Sequence, residues 1–494
     1  MKKGLILIFI FFLSFVLVSC TKNDNTNTSN DLDDVITSDD TDPNKDDTNN
    51  DNSDNTGENQ EKPDDKEHVH VASDWIYPDK WECGDDVTIY KVCTICGERL
   101  DEEVVFMDHI FIEEKVDPTC TTDGYILTTC ENCNFKSKKT LYATGHEKSD
   151  YITMQDATDS EPGIRVQYCT KCHEILNEYE YVNNGYHKHG KLSVIGTDLV
   201  DEYGKLTQLY GLSYHGLQWF NRYVNEDTIL ALQSYFGINV LRLACYPSEG
   251  GYAEGGLSMQ QKYKECVDIA IKAGAKYGLY VVVDWHMVGA DVPGDKNPLY
   301  YMDYAKEFLE YVASNYKDYD NVIYEIMNEP CGDTTWEDCK TYANTIIPII
   351  RKYTDAVILV GNPHWSSDLR SVINDPLDYD NIMYTYHFYA DDIKSPSEVI
   401  YAYSKGIPVF ISEFGFMDSD GDGAMNYTSG ENWLKALDER GISYIAWNIS
   451  NSKGSASIIS NSSSTRTNFS DKNLKEWGIY LKGLYRTKAG LSWK

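Results

Sequence analysis

The sequence predicts an α/β protein whose residues 190–494 form a (β/α)8 barrel, preceded by a disordered linker and small Cys-rich, zinc-ribbon-like repeats. Two observations carry the barrel. Apolar, β-rich runs recur eight times, at 206–213, 239–245, 279–286, 322–329, 356–362, 382–389, 408–415 and 444–450. Amphipathic helical stretches such as 263–277 and 301–316 lie between them. Near-continuous apolar strands alternating with helices indicate a parallel sheet covered on both faces, and eight such units over this length suggest closure into a barrel. The alternative is an open doubly wound sheet, which would usually carry a Gly-rich phosphate turn after its first strand; no such turn follows 206–213.

Composition narrows the function classes. Hydrophobic residues make up 41% and charged residues 25% of the 494, near the globular average, so neither a wholly disordered chain nor a polytopic membrane protein is expected. With 44 Lys+Arg against 78 Asp+Glu the net charge is −34, which argues against nucleic acid as a partner, because phosphate binding needs a basic surface. Aromatic residues reach 13%, including 38 Tyr and 10 Trp, and aromatic faces suit sugar rings.

Residues 1–20 read as an export signal. Lys2 and Lys3 precede an apolar run ending Leu17-Val18-Ser19-Cys20, too short and too terminal for a spanning helix. The ending resembles the bacterial lipobox, which implies acylation of Cys20 and a tether to the membrane without a span. Residues 21–67 follow as a linker. They hold 13 Asp, 3 Glu and 4 Lys (4 − 16 = −12) and only three aliphatic residues, Leu32, Val35 and Ile36. Such a segment cannot bury enough apolar surface to offset chain entropy, and its self-repulsion favours an extended spacer.

A repeat occupies 68–189. Cys83, Cys93, Cys96 and His109 recur as Cys120, Cys130, Cys133 and His146 with the same three spacings of 10, 3 and 13 residues. A degenerate third copy keeps Cys169 and Cys172 but has Asp159 in place of its first Cys, and His187 and His189 fall out of register. Two chemistries fit. Three Cys and one His hold zinc tetrahedrally, with Cys-x-x-Cys as a half-site; an exported chain also forms disulfides. The odd number of Cys in each full copy favours metal, or pairing between copies. Each copy has few large apolar residues and needs a staple of some kind. On the within-copy reading, the third copy, short of one ligand, is the least suited to metal. The copies resemble Cys-rich modules of Firmicute surface proteins, which suggests a spacer or attachment role.

In the barrel, polar residues collect at strand ends. Arg242 and Tyr246 close the second run, Asp284-Trp285-His286 the third, Asn328-Glu329-Pro330 the fourth, His387-Phe388-Tyr389 the sixth, Glu413-Phe414-Gly415 the seventh and Trp447-Asn448 the eighth. C-terminal strand ends of a barrel open on one face, where active sites sit. Strands four and seven face each other across the barrel, so Glu329 and Glu413 are placed to flank one bond, the arrangement that hydrolyses glycosides.

These stretches carry a resemblance. His215-Gly-Leu-Gln-Trp219, Val283-Asp-Trp-His286, Val322-Ile-Tyr-Glu-Ile-Met-Asn-Glu-Pro330, His387-Phe-Tyr-Ala390 and Trp447-Asn-Ile-Ser450 run in order through nearly the whole domain. The segment resembles glycoside hydrolase family 5, in its bacterial endo-β-1,4-glucanase branch of the Bacillus type. The resemblance implies a retaining, metal-independent (β/α)8 enzyme, with Glu329 as acid/base and Glu413 as nucleophile. On this reading Glu329 has a raised pKa and Glu413 a low one. It further implies that Asn328 binds the sugar 2-hydroxyl, that Arg242 and Tyr389 keep the nucleophile ionised and aimed, and that His215, His286 and His387 surround the reacting sugar. Trp447 would lie under that sugar, and Trp219 and Trp365 would serve neighbouring subsites. Trp285 is expected behind its strand, Cys245 and Cys266 in the core, and Cys331 and Cys339 within reach of a loop disulfide.

Some positions depart from the family pattern. Ser452 stands where a Lys reaching a distal glucose is expected, and Lys453 follows one residue later. The loop 288–300 is longer than usual. The stretch Asp418-Ser-Asp-Gly-Asp-Gly423 starts like a calcium loop, but Ser429 fills the twelfth position, where a bidentate Glu is needed, so it reads as an acidic loop. The expected activity is an endoglucanase cutting β-1,4 bonds of a β-glucan polysaccharide with retention, without a catalytic cofactor. The catalytic domain is expected to be monomeric and tethered at the extracellular face through Cys20. A β-mannanase or xyloglucanase on the same barrel is the alternative; a non-catalytic binding protein would have lost one of the two Glu.

Overall fold

The structure, a computed structural model, describes residues 68–158, 161–287, 295–392 and 394–491. The expected signal, the linker, Cys20, Asp159 and most of the loop 288–300 lie outside the described residues. Among the described residues no helix is long and apolar enough to cross a membrane.

Two compact units are present. One, described from His68, is the antiparallel hairpin β1 (Asp86–Val92) and β2 (Arg99–Phe106) with the segment before it, joined by the bridges Ala72 to Cys93 and Ile76 to Tyr90. Its small core is Val87, Ile89 and Cys93.

The other unit begins with a three-stranded sheet, β3 (Phe111–Val116), β4 (Gly124–Cys130) and β5 (Lys136–Leu141), then a second one, β6 (Ile152–Gln155), β7 (Gly163–Tyr168) and β8 (Ile175–Tyr181). The second sheet packs on the barrel instead of standing apart from it. Tyr151 and Tyr179 join the large barrel core. Tyr151 also donates to Asp227, and buried Arg165 donates to Gln233 Oε1 and the Tyr277 carbonyl while lying over the Tyr181 ring. The third repeat therefore belongs structurally with the barrel, although the composition changes only near residue 190.

A short hairpin, β9 (Ser193–Ile195) and β10 (Asp198–Val200), precedes the barrel strands β11 (Tyr210–Tyr214), β12 (Val240–Cys245), β13 (Tyr280–Trp285), β14 (Val322–Glu325), β15 (Ile358–Val360), β16 (Ile382–Tyr389), β17 (Val409–Gly415) and β18 (Tyr444–Ile449). The eight are parallel and close in sequence order, β18 pairing with β11. Each of the eight predicted runs contains one barrel strand, and every residue of those strands is buried, which is why they read as continuous apolar runs. Inside the barrel, Val240, Val282, Ile323, Leu359, Met383, Phe410 and Ile445 pack together, with Leu192 and Leu199 beside them from the β9–β10 hairpin. That apolar plug fills the N-terminal half and leaves the polar C-terminal half for chemistry.

Helices close the outer layer. Glu226–Phe236 begins on an Asn225 cap and ends at Gly237 in the left-handed region (φ 73°). Trp336–Arg351 begins on a Thr335/Asp338 capping box directly after the Glu329 loop, which fixes where that loop ends.

Candidate active site

The lumen-facing residues of the strands carry the polar cluster, and one deviation from alternation aims Glu413 into it. The register shifts between Thr385 and His387 on β16 and between Ile411 and Phe414 on β17. Across this bulge Ser412 and Glu413 both reach the lumen, while Phe414 packs outward on Phe388, Tyr444 and Trp477.

Glu329, His387 and Glu413 offer one ligating atom each, all within 4.8 Å of one another. Both oxygens of Glu413 accept hydrogen bonds, Oε1 from the Tyr389 hydroxyl (2.8 Å) and Oε2 from Arg242 Nη1 (3.0 Å). Glu329 Oε1 lies 2.8 Å from His387 Nδ1, so His387 holds this carboxylate in place. On its other side His387 Nε2 is 2.9 Å from Ser412 Oγ, which spends its own proton on Glu325 Oε1 (2.7 Å). Ser412 therefore accepts from His387, and the ring donates at both nitrogens. Burial opposes a charged ring, but the Glu325 and Glu329 carboxylates outweigh it and lift His387 to about 9.

Arg242 organises the floor. It is fully buried and meets three carboxylates: Glu325 through Nε (2.6 Å) and Nη2 (3.2 Å), Asp284 through Nη2 (3.0 Å) and Glu413 through Nη1. Two cations, Arg242 and His387, thus sit among four acidic side chains, Glu325, Asp284, Glu413 and Glu329. Burial opposes ionisation of Glu325, yet Arg242 and His387 bring it down to about 2. Burial pushes Asp284 well above the carboxylate range despite Arg242, and it lies 2.6 Å from Nδ1 of His286, whose ring burial and the Arg242 charge keep neutral. Neither Glu325 nor Asp284 was assigned a role from sequence. A carboxylate in an otherwise apolar strand is costly to bury, and that was the available signal for Glu325.

Glu413 departs from the sequence expectation of a low pKa. Burial first and the Glu329 carboxylate second push it up, while His387, Arg242 and Tyr389 pull it back. With a donor on each of its oxygens, Glu413 is the carboxylate whose charge the site is built to hold.

The fold agrees with the relatives of the chain. Residues 200–453 match the cellulase family, glycosyl hydrolase family 5. Endoglucanase A of Butyrivibrio fibrisolvens is 43% identical over 297 residues, 59% of this chain and 68% of that protein. The chain belongs to the family 5 cellulases. An endoglucanase of Clostridium saccharobutylicum is 39% identical over 59% of the chain and 64% of its own length. The chain thus spans about two thirds of the length of these two relatives. Among solved structures, cellulase Cel5C_n superposes with a TM-score of 0.59 at 36% identity, covering 62% of this chain and 95% of that one. The catalytic domain of Thermobifida fusca endoglucanase Cel5A gives 0.57 at 33% identity, covering 61% and 99%.

In this cellulase the other candidate site residues named from sequence lie at or just beyond the C-terminal ends of the barrel strands. Trp447 stacks on His286 (centroids 5.2 Å apart, planes 4° apart) and borders His215 (5.0 Å). Tyr246 stacks on His286 at 4.3 Å and meets Trp219 edge-on. Burial lowers His215 to about 4, so this wall is neutral at ordinary pH. Trp219 and Trp365 are half-exposed. Trp365 is held in the left-handed region (φ 56°) between His364 and Ser366, which share it, and its N–H donates to the Pro330 carbonyl. Strain of this kind collects where a side chain must be aimed. Asn328 accepts from Arg242 Nη2 (2.6 Å) and donates to the Met287 carbonyl (2.7 Å), so its amide is largely committed to the floor. Lys453 is exposed; its carbonyl, with those of Ser452 and Gly454, is gathered by Lys475 Nζ, which fixes the loop after β18. Trp285, Cys245 and Cys266 are buried as expected. Cys331 and Cys339 are free buried thiols, so the loop disulfide is not formed. Ser429 lies in the helix Tyr427–Asp438, and Asp422 accepts from Ser455 N instead of facing a calcium loop.

The Cys-rich region brings its ligands together in sets other than those read from sequence. The within-copy sets Cys83, Cys93, Cys96, His109 and Cys120, Cys130, Cys133, His146 do not form. Three clusters form instead: His68, His70, Cys93, Cys96; Cys83, His109, Cys130, Cys133; and Cys120, His146, Cys169, Cys172. The third copy contributes fully, contrary to expectation, because its knuckle draws on Cys120 and His146 of the copy before it. The unplaced His187 and His189 face the Ala275 carbonyl and Asp201.

Proposed function

We propose that the chain is a retaining endo-β-1,4-glucanase acting on cellulose or a related β-glucan. The observation that carries this is the Glu329 and Glu413 pair, its oxygens within 4.8 Å, with Arg242 and Tyr389 clamping one carboxylate and His387 the other. Retaining enzymes hold their carboxyl groups about 5–5.5 Å apart, whereas inverting enzymes leave about 6.5–9.5 Å for a water. Glu413, aimed by its two donors, attacks the anomeric carbon while Glu329 protonates the leaving oxygen. Glu329 then takes a proton from water as that water opens the glycosyl-enzyme. The stacked wall of Trp447, His286 and Tyr246 lines the sugar site, and Trp219 and Trp365 receive neighbouring units. Family 5 cellulases use no cofactor in this chemistry.

The export signal and its Cys20 support a lipid-anchored enzyme on the extracellular face of a bacterial membrane, with the acidic linker as spacer and a monomeric catalytic domain. The Cys-rich repeats are read as structural metal modules. The deciding experiment is reducing-sugar release by the full chain on carboxymethylcellulose, galactomannan and xyloglucan, with the anomer of the first product followed by NMR. Release mainly from carboxymethylcellulose, with retention, is expected. Inversion would refute the mechanism, and release mainly from another polymer would refute the specificity.

A further inference from the structure

We propose that the Cys-rich region is built on three structural zinc sites, each closed by the Cys-x-x-Cys pair of one copy and by ligands from the segment before it. The proposal extends the structural-metal reading of the repeats and does not depend on the glucanase activity. The first site is Cys2His2 (His68, His70, Cys93, Cys96); the second (Cys83, His109, Cys130, Cys133) and third (Cys120, His146, Cys169, Cys172) are Cys3His.

Distances fit a tetrahedron around zinc. Zn–S bonds of about 2.3 Å and Zn–N bonds of about 2.0–2.1 Å give S···S edges of about 3.8 Å and S···N edges of about 3.5 Å. Cys83 and Cys130 sulfurs are 3.6 Å apart, and those of Cys120 and Cys169 are 3.7 Å apart. The S···N separations are 3.6 Å for Cys93 and His68, and 3.5 Å for Cys96 with His70, Cys133 with His109 and Cys172 with His146. A disulfide would bring two sulfurs to about 2.05 Å, and all of these cysteines are free.

The surroundings are those of metal ligands. His70 and His146 turn Nδ1 to a cysteine, and each points Nε2 at a carboxylate, Glu98 at 3.5 Å and Glu174 at 3.6 Å. A ligating imidazole is oriented this way by an outer carboxylate. Both Glu stand two residues after the second knuckle Cys; in the second site that place is taken by Phe135, whose ring lies 5.2 Å from that of His109. The knuckles share one turn: Cys93, Cys130 and Cys169 donate their N–H to the carbonyl five residues on, at 2.7, 3.2 and 2.8 Å. Ile95 and Asn132 N–H groups, meanwhile, point at the first sulfur of their knuckles.

Interleaving also explains the irregular ends of the repeat. The first Cys and the late His of each copy serve the next knuckle, so the third copy, with no knuckle after it, needs no first Cys. The first knuckle is served by His68 and His70 instead. These strands cannot hold themselves together by burial: every residue of β3 is exposed, as are five of the six in β5.

The test is metal content of the full chain, purified without chelator from zinc-replete cells and measured by elemental analysis and native mass spectrometry. Three zinc ions per chain are expected. The double variants Cys83→Ser/Cys133→Ser and Cys120→Ser/Cys172→Ser each pair ligands that within-copy sites would separate, so each is expected to lose one zinc. Glucan hydrolysis by the barrel serves as the folding control. A loss of two zinc ions in a double variant that still hydrolyses glucan, or two zinc ions in the unmutated chain, would overturn the interleaved assignment. No zinc, with the eight knuckle-region thiols blocked to alkylation until reduction, would overturn the metal itself. The count in the unmutated chain decides between two and three even where a variant does not fold.

Discussion

Replacing Tyr389 with Phe removes one hydroxyl and leaves the ring in place, which isolates its bond to the nucleophile. Glu413 has two donors, Tyr389 at 2.8 Å and Arg242 at 3.0 Å, and the variant keeps only the second. A hydrogen bond to a charged group is worth about 1.5–3 kcal/mol, and about 1.4 kcal/mol is one pKa unit. Glu413 is already pushed up by burial and by Glu329, and the variant moves it further in the same direction. In the proposed mechanism Glu413 attacks as the anion, so the acid limb of kcat/KM shifts to higher pH. At a pH near the wild-type acid limb the rate falls about ten- to a hundredfold, and it recovers as pH rises. The assay is kcat/KM on a soluble cello-oligosaccharide across pH, with the alkaline limb as internal control. A uniform loss at every pH with the acid limb unmoved would refute the reasoning and make Tyr389 only a substrate contact.

Other outcomes follow from the same geometry. Glu329→Gln should lower kcat on cellulose by about 10²–10⁴, and far less on an aryl cellobioside whose leaving group needs no proton; equal losses on both would remove the acid role. Glu325→Gln breaks a buried ion pair, an effect of about 3–5 kcal/mol when a charge is stranded. Urea unfolding should show the loss, and the titration of His387, followed by NMR, should drop below about 9, since Glu325 helps raise it. His387 is raised above its unfolded value of about 6.5, so the stability it contributes is full below that pH and is lost as pH climbs through about 9. His215, lowered to about 4, works the other way and weakens the fold as pH falls from about 6.5. Thermal unfolding against pH should therefore decline on both sides, and His387→Gln should flatten the alkaline side. Trp365→Ala should raise KM about two- to twelvefold, equivalent to about 0.5–1.5 kcal/mol of stacking, with kcat nearly unchanged; a fall in kcat alone would place Trp365 at the reacting sugar.

The sequence by itself determined the eight strands and marked Glu329 and Glu413 as the pair that meets at one face. A barrel strand buried on both faces needs a continuous apolar run, and a polar residue ending such a run has few reasons to be there other than chemistry. It also marked the knuckles, because two Cys three residues apart make a local half-site that needs no knowledge of the fold. Only the tertiary structure decided who meets whom. Arg242 finds Glu325 and Glu413 83 and 171 residues away, and the pKa of Glu413 depends on the crowding that results. Cys83 meets Cys130 across 47 residues, not the Cys93 ten residues on that the spacing suggested. The third repeat joins the barrel through Arg165 and Tyr151, residues with no distinguishing pattern. Hydrophobic period and residue type are local and can be read along a chain. Ligand partners, charge balance and docking depend on contacts between distant segments, which only the closed fold brings together.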